Sequence, residues 1–573
     1  MKKLFEIWAP KAEQMTLCIE GKEIAMQKYE RGFWRCELEV DNDKSLYGYK
    51  IDGKGPFPDP KSRYQPAGVH GLSQLWPDNF TWSDDNFRAI ELGKAVIYEL
   101  HIGTFTQEGT FAGVAKKLDH LKSLGVTHIE FLPVATFPGK NGWGYDGVDL
   151  FAPHHSYGTP TDLKQLVNIC HQKELAVILD VVYNHLGPDG NYLGLYGNYF
   201  SDRYHTPWGE AVNFDGPHSD QVRNFIIENA LYWLKEFHFD GLRLDAIHAI
   251  FDFSATHILE ELQLNVEKLG KEMNKPLFLI AESSLNDPRI IRPREKGGYE
   301  LASQWLDDFH HSLHVMFTGE QFGYYQSFKG AKDFQKCLRD NFVYDGQYSP
   351  YRKRKHGRKA NDLAPDKFVV AMQNHDQIGN RAFGERLCHL ISLDECQIAA
   401  ALLLLSPFVP MLFQGEEWAS SSPFLYFTDH VDEKLAQAVR DGRQKEFSYK
   451  HEKVPDPQAI ETYLKSKLDW SEISNDKHHR MLNWHRELIR IRNENLDQIR
   501  KHRPQFSIID QNQRIYSYRA GNLYLIANCG DSEFTIDDNE LANCRVIIQN
   551  KEFKKSGAKL ILKPASVVVF KKQ

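Results

Sequence analysis

Apolar runs of strand length, each closed by a carboxylate, recur through the middle of the chain. Residues 239–245 read Phe-Asp-Gly-Leu-Arg-Leu-Asp, residues 276–282 read Pro-Leu-Phe-Leu-Ile-Ala-Glu, and residues 368–376 run from Phe368 to Asp376. Helix-like stretches separate them, which predicts a parallel sheet with both faces covered. Parallel α/β folds place their chemistry at the carboxyl ends of the strands, where these charges fall. Strand alternation puts Arg243 on the face of Asp245, with Leu242 and Leu244 on the other. Glu282 likewise shares its face with Ile280.

The same grammar can be followed from residue 95 onward. Strands are predicted at 95–100, 126–132, 176–180, 239–245, 276–282, 304–309, 368–374 and 408–413, with helices at 113–124, 161–173 and 219–236 between the first four. Eight βα units make this an α/β chain with a (β/α)8 TIM barrel. A doubly wound sheet is the alternative, but no G-x-G-x-x-G opens a helix after a strand. Before the barrel, residues 1–88 alternate in short runs, as in an immunoglobulin-like β-sandwich. The barrel spans 89–503, with long loop insertions at 183–216 and 423–470 and a closing helix at 481–496. Short strands return in 504–573 as a small C-terminal antiparallel β-domain.

Composition narrows the classes. The 573 residues are 42% hydrophobic and carry a formal charge of −7, which leaves no basic footprint for nucleic acid. The basic run 352–359 reads as a solvated loop face. The apolar stretch 398–408 is too short for a membrane span and reads as a core helix. The beginning has no apolar stretch of signal-peptide length, and the eight cysteines are scattered without a C-x-x-C pair, so a reduced, cytoplasmic protein is expected. Aromatic residues make up 12% of the chain, enough for large cores and for sugar-stacking platforms together.

Three acids at one mouth, one beside an arginine, suit glycosidic cleavage. That reaction needs one carboxyl to protonate the leaving oxygen and another to act at the anomeric carbon. Asp180-Val-Val-Tyr-Asn-His185, Gly241-Leu-Arg-Leu-Asp-Ala-Ile-His248, Ala281-Glu-Ser283 and Asn374-His-Asp376 resemble, in order, the four signature regions of the α-amylase superfamily, glycoside hydrolase family 13. The resemblance implies that Asp245 is the nucleophile, Glu282 the general acid and later base, and Asp376 the third acid that holds sugar hydroxyls. It implies that His185 and His375 hydrogen-bond the sugar being cleaved and that Tyr145 is the platform beneath it. Arg243 would keep Asp245 ionised, and Glu282 should have the raised pKa. Asp180 and Asn184 are expected to shape the strand-three mouth rather than react.

The stretches 96–105, 183–192, 206–215, 307–311, 373–381 and 413–430 resemble those of the maltooligosyltrehalose trehalohydrolases. That family implies a retaining hydrolase of the α-1,4 bond next to a terminal trehalose unit, releasing trehalose. Compact trehalose would be selected by fixed polar groups beyond the cleaved bond. The candidates are Asp307, Asp308, His310 and His311 after strand six, with His248, Gln377 and Asn380 beside the acids and Trp208 as a stacking residue. A glycogen branching enzyme on the same scaffold is the competing enzyme, although Ser-His-Asp-Glu would then be expected where this chain has Asn-His-Asp-Gln. A non-catalytic carbohydrate-binding relative would be expected to lack one of the three acids. No acidic cluster has calcium-loop spacing, and the resemblance implies no metal; no cofactor is expected. A monomer, functionally paired with a maltooligosyl trehalose synthase and binding neither nucleic acid nor membrane, completes the expectation.

Overall fold

The computed structural model describes residues 2–77, 79–448 and 453–572. Its centre is a closed barrel of eight parallel strands: β1 (Ile97–Leu100), β2 (His128–Phe131), β3 (Ala176–Val181), β4 (Gly241–Leu244), β5 (Phe278–Ala281), β6 (Ser303–Trp305), β7 (Phe368–Ala371) and β8 (Val409–Phe413). They pair in chain order, and β8 closes on β1 through Met411 opposite Ile97 and Phe413 opposite Glu99. Alternation divides each strand. Ile97, Ile178, Phe278, Ile280, Trp305, Val369, Val409 and Met411 pack together inside the barrel. The intervening residues, such as Leu179, Leu242, Leu244 and Leu279, join the larger core beneath the outer helices.

The helices that matter below are α1 (Pro160–Gln172), α2 (Ser219–Glu236), α3 (Ile258–Met273), α4 (Asp307–Thr318), α5 (Leu393–Leu404), α6 (Glu433–Glu446) and α7 (Asp476–Lys501). Thr159 and Asp162 form a reciprocal capping box at the start of α1, and Ser392 with Glu395 does the same for α5. The stretch 398–408 lies in and just after α5, buried throughout as a core helix. The closing helix α7 is longer than its apolar periodicity suggested. Its buried Arg492 donates to the carbonyls of Leu404, Ser406 and Phe408, fastening it under β8. Losing that guanidinium would leave buried carbonyls unpaired, at about 1–3 kcal/mol each.

The expected sixth strand needs correction. It covers only Ser303–Trp305, and Asp307 already opens α4. Two aspartates in the first turn complement the positive helix end, which favours helix over strand there.

A two-sheet sandwich precedes the barrel. Lys2–Trp8 pairs with Phe33–Glu39, and Met15–Ile19 pairs with Lys22–Ala25 and Leu46–Ile51. Phe5, Ile7, Leu17, Tyr47 and Tyr49 are buried in the core. After α7 come a five-stranded antiparallel sheet, Gln505–Asp510 through Ser566–Lys572, and a three-stranded one of Phe534–Asp537, Lys559–Leu562 and Lys554–Ser556. The smaller sheet goes beyond the expected strands: its pieces are only three or four residues long, and Lys554–Ser556 carries no apolar residue. All eight cysteines are free. Among the described residues no helix is long and apolar enough to cross a membrane.

Candidate active site

Arg243, the last inward-facing residue of β4, organises the barrel mouth. Its Nη1 donates to Asp180 Oδ2 at 2.6 Å and to Asp245 Oδ1 at 2.9 Å, and its Nη2 lies 3.5 Å from Glu282 Oε2. The guanidinium lies over the ring of Trp305, 4.2 Å from its centroid. The second Asp245 oxygen, Oδ2, accepts from Asn184 Nδ2 at 2.8 Å, and the same nitrogen donates to the Asp245 carbonyl at 2.9 Å. One cation and one amide thus orient the two carboxylate oxygens separately.

The backbone turns sharply after Asp245. Ala246 takes a left-handed conformation, φ 38°, which costs a residue with a Cβ of order 1 kcal/mol. In that conformation its N–H donates to Glu282 Oε2. Burial pushes the Glu282 carboxyl well above the ordinary value of 4.5. Arg243 opposes this, while the charges of Asp245, Asp307 and Asp376 reinforce it. Burial also raises Asp180, to about 6.

On the opposite rim Asn374 caps the short helix His375–Gly379. Asp376 is exposed to the cavity, and its Oδ1 accepts from Asn380 Nδ2 at 2.6 Å. His375 is held from two sides. Glu99 on β1 accepts from its Nδ1 at 2.5 Å and from its backbone N–H at 3.0 Å, and Tyr145 Oη lies 2.7 Å from its Nε2. Burial works against charge on His375, but Glu99 outweighs it and raises the imidazole above its usual value. Tyr145 donates to Asp180 at 2.6 Å, so it accepts from His375. The chain Glu99–His375–Tyr145–Asp180–Arg243 therefore links strands β1, β3 and β4 through His375 and Tyr145 behind the acids. Burial lowers the His185 imidazole below its usual value, against the charges of Asp245 and Asp146, and its ring stacks on Trp208 at 4.4 Å.

Of these groups, Tyr145, His185, Trp208, Arg243, Asp245, Glu282, His375, Asp376 and Asn380 line a cavity of about 570 Å³. Residues 2–66 match carbohydrate-binding module 48, the isoamylase N-terminal domain, and residues 74–199 match the alpha amylase catalytic domain. A malto-oligosyltrehalose trehalohydrolase from Saccharolobus solfataricus is 50% identical over 491 residues, 86% of this chain and 85% of that protein. Another from Rhizobium sp. is 43% identical across 99% of this chain and 97% of its own length. The chain belongs to the malto-oligosyltrehalose trehalohydrolase family. A crystal structure from Salmonella typhimurium, 36% identical, superposes with a TM-score of 0.91 over 100% of this chain and 98% of that one.

Ten of the residues expected at a trehalohydrolase site face this cavity: Tyr145, His185, Trp208, Arg243, Asp245, His248, Glu282, His375, Asp376 and Asn380. The others stand apart. Asp307 is half-buried and lines a small neighbouring cavity with Asp308 and His311. Burial, with Asp376 and Asp308 nearby, raises its carboxyl to about 7. Asp308 Oδ2 accepts from Asn286 Nδ2 and from the backbone of Val343 and Tyr344 at 2.7–3.1 Å, the arrangement of a structural acid. His310 is buried between the carbonyl of Met372 and the hydroxyl of Tyr325, and His311 packs against Tyr324 and Phe328. Gln377 is buried and does not line this cavity, and its backbone N–H donates to Asn374 Oδ1 at 3.0 Å.

The basic run is not uniformly solvated. Arg352 turns inward to the Ser284 carbonyl at 3.0 Å, while Lys353, Arg354 and Lys355 remain exposed. Glu99 is a further site residue, and its signal in the sequence is an acid inside the apolar first strand. Tyr426, Thr428, Val439, Arg443 and Glu446, all from the insertion after β8, also line the cavity. No periodicity marked them. Among the described residues no group of three or more His, Cys, Asp or Glu could hold a metal ion.

Proposed function

We propose that Asp245, Glu282 and Asp376 run a retaining hydrolysis of the α-1,4 bond beside the terminal trehalose unit of maltooligosyl trehalose. The observation that carries this reading is the pairing of Asp245, its two oxygens oriented by Arg243 and Asn184, with a Glu282 whose carboxyl burial raises well above its ordinary value. Asp245 attacks the anomeric carbon while Glu282 gives its proton to the glycosidic oxygen, so trehalose leaves and a glucosyl ester forms on Asp245. Glu282, now a carboxylate, takes a proton from water, which opens the ester and frees the malto-oligosaccharide with its configuration retained. Asp376 holds hydroxyls of the distorted sugar, steadied by Asn380. Tyr145 and His375 support that sugar, with His185 and Trp208 at its side. His248 and Asn380 are the polar groups best placed to recognise the trehalose end from the cavity, with Asp307 close by. Asp308, His310, His311 and Gln377 support the rim from behind.

Incubation with maltooligosyl trehalose and with maltohexaose tests the assignment. Trehalose should be released from the first. Rapid release of glucose or maltose from maltohexaose, with the trehalosyl substrate untouched, would refute it, and new α-1,6 branches on amylose would point to a transferase. The free thiols suit a cytoplasmic setting. We read the enzyme as a monomer that works in sequence with a maltooligosyl trehalose synthase, which sedimentation and mixing with that enzyme can check.

A further inference from the structure

The insertion after β8 does more than enclose the cavity. Arg443 on α6 is a tenth or less exposed, and its Nη2 donates to two carbonyls, Gly379 at 2.7 Å and Arg381 at 2.8 Å. Those carbonyls bracket Asn380, the residue whose amide holds Asp376 Oδ1. They also lie at the C-terminal end of the helix His375–Gly379, where carbonyls lack intrahelical partners and a cation is favourable. The guanidinium is itself held by Glu446 at 3.1 Å and by the rings of Phe447 and Tyr426, 4.6 and 5.5 Å from its carbon.

The other side of this segment is equally fixed. A Cβ on Gly379 would fall 2.0 Å from the Trp143 ring, so the indole packs directly on the backbone there. Trp143 in turn donates to the carbonyl of Leu425, at the start of the same insertion. Arg381 continues the strap outward through a bidentate pair with Glu320 at 2.9 Å. The backbone from Gly379 to Arg381 is therefore gripped between an indole and a buried guanidinium, both anchored to the insertion.

We propose that Arg443 is a positioning residue that sets Asp376 through the Gly379–Asn380–Arg381 backbone, making α6 a working part of the site. This rests on the role given above to Asp376. A bidentate clamp on two carbonyls fixes direction as well as distance, and displacement of a reacting group by about 1 Å can cost on the order of 100-fold in rate.

The test is a double-mutant cycle on the full-length enzyme, with kcat and KM measured for Arg443→Met, Asp376→Asn and the pair. Arg443→Met should lower kcat about 10- to 100-fold with KM changed less than about threefold. In the Asp376→Asn background the same change should cost less than about threefold, because the group it positions is already disabled. Arg443→Lys, which keeps the charge but reaches one carbonyl at a time, should fall between wild type and Arg443→Met. Near-normal kcat in Arg443→Met, or losses that multiply fully in the double variant, would overturn the proposal. If Arg443→Met does not fold, Arg443→Lys with and without Asp376→Asn supplies the same cycle. Wild-type enzyme that releases no trehalose would instead defeat the substrate assignment, and the cycle would then be run on whichever α-glucan it does cleave.

Discussion

Asp245 and Asp308 are both aspartates just beyond a barrel strand, and they are 9% and 5% exposed. Burial does not separate them; their partners do. Asp245 has one donor on each oxygen and a face on the cavity. Asp308 gathers three N–H donors on one oxygen, two of them backbone groups of the segment around Val343. A carboxylate that has satisfied its acceptors with immobile backbone fixes a loop, whereas one oriented by side chains and open to a cavity can meet a substrate.

Substitution should separate the two most sharply at Asp245. Asp245→Ala should lower kcat by about 10⁴-fold or more while the melting temperature stays near wild type. Turnover close to normal would remove Asp245 from the reaction. Glu282→Gln should cost about 10²- to 10⁴-fold, the range for a lost general acid. The raised pKa of Glu282 also sets the sign of two pH effects. Activity should fall as pH rises through that pKa, because the leaving oxygen then lacks its proton. In stability, a raised folded pKa contributes fully below the ordinary 4.5 and is lost as pH climbs through the folded value. Glu282→Gln should therefore gain melting temperature relative to wild type from pH 4.5 upward. A constant difference across that range would mean that the buried carboxyl is not raised.

Asp308→Ala should show the opposite profile. Three donors would lose their acceptor, at about 2–3 kcal/mol of stability, while kcat at a temperature where the variant is folded stays within a few-fold of wild type. A loss of activity as deep as that of Asp245→Ala, with stability intact, would erase the distinction drawn between the two acids.

The barrel and its acids could be read from the chain because strand-end charges interrupt long apolar runs, and Asp245, Glu282 and Asp376 all do so. The end of strand six could not. Residues 304–309 have strand length and three apolar residues, but Leu306 and the helix-opening pair Asp307–Asp308 end the strand inside that run. Four polar residues around that end thus looked like rim groups, and their actual partners depend on segments far away in sequence, such as Asn286, Val343 and Met372. Arg443 was illegible for the same reason. Its importance lies in two carbonyls 62 and 64 residues away, and no local pattern encodes them.

Trp208 offers the finest version of the contrast, because it lies in the cavity without joining the charged network. It sits at the tip of the hairpin formed by Phe200–Thr206 and Gly209–Val212, and it remains 46% exposed while stacking on His185 with ring planes 10° apart. An exposed aromatic face at a sugar site contributes packing that is similar in the bound and reacting states. Its loss should therefore raise KM, by up to about tenfold for a stacking contact of about 0.5–1.5 kcal/mol, and leave kcat nearly unchanged. Trp208→Ala tests this, with Trp208→Phe expected to recover most of the affinity. A fall in kcat without a change in KM would mean that the hairpin tip acts through His185 on the reacting sugar, and would move Trp208 from the binding surface into the group headed by Asp245.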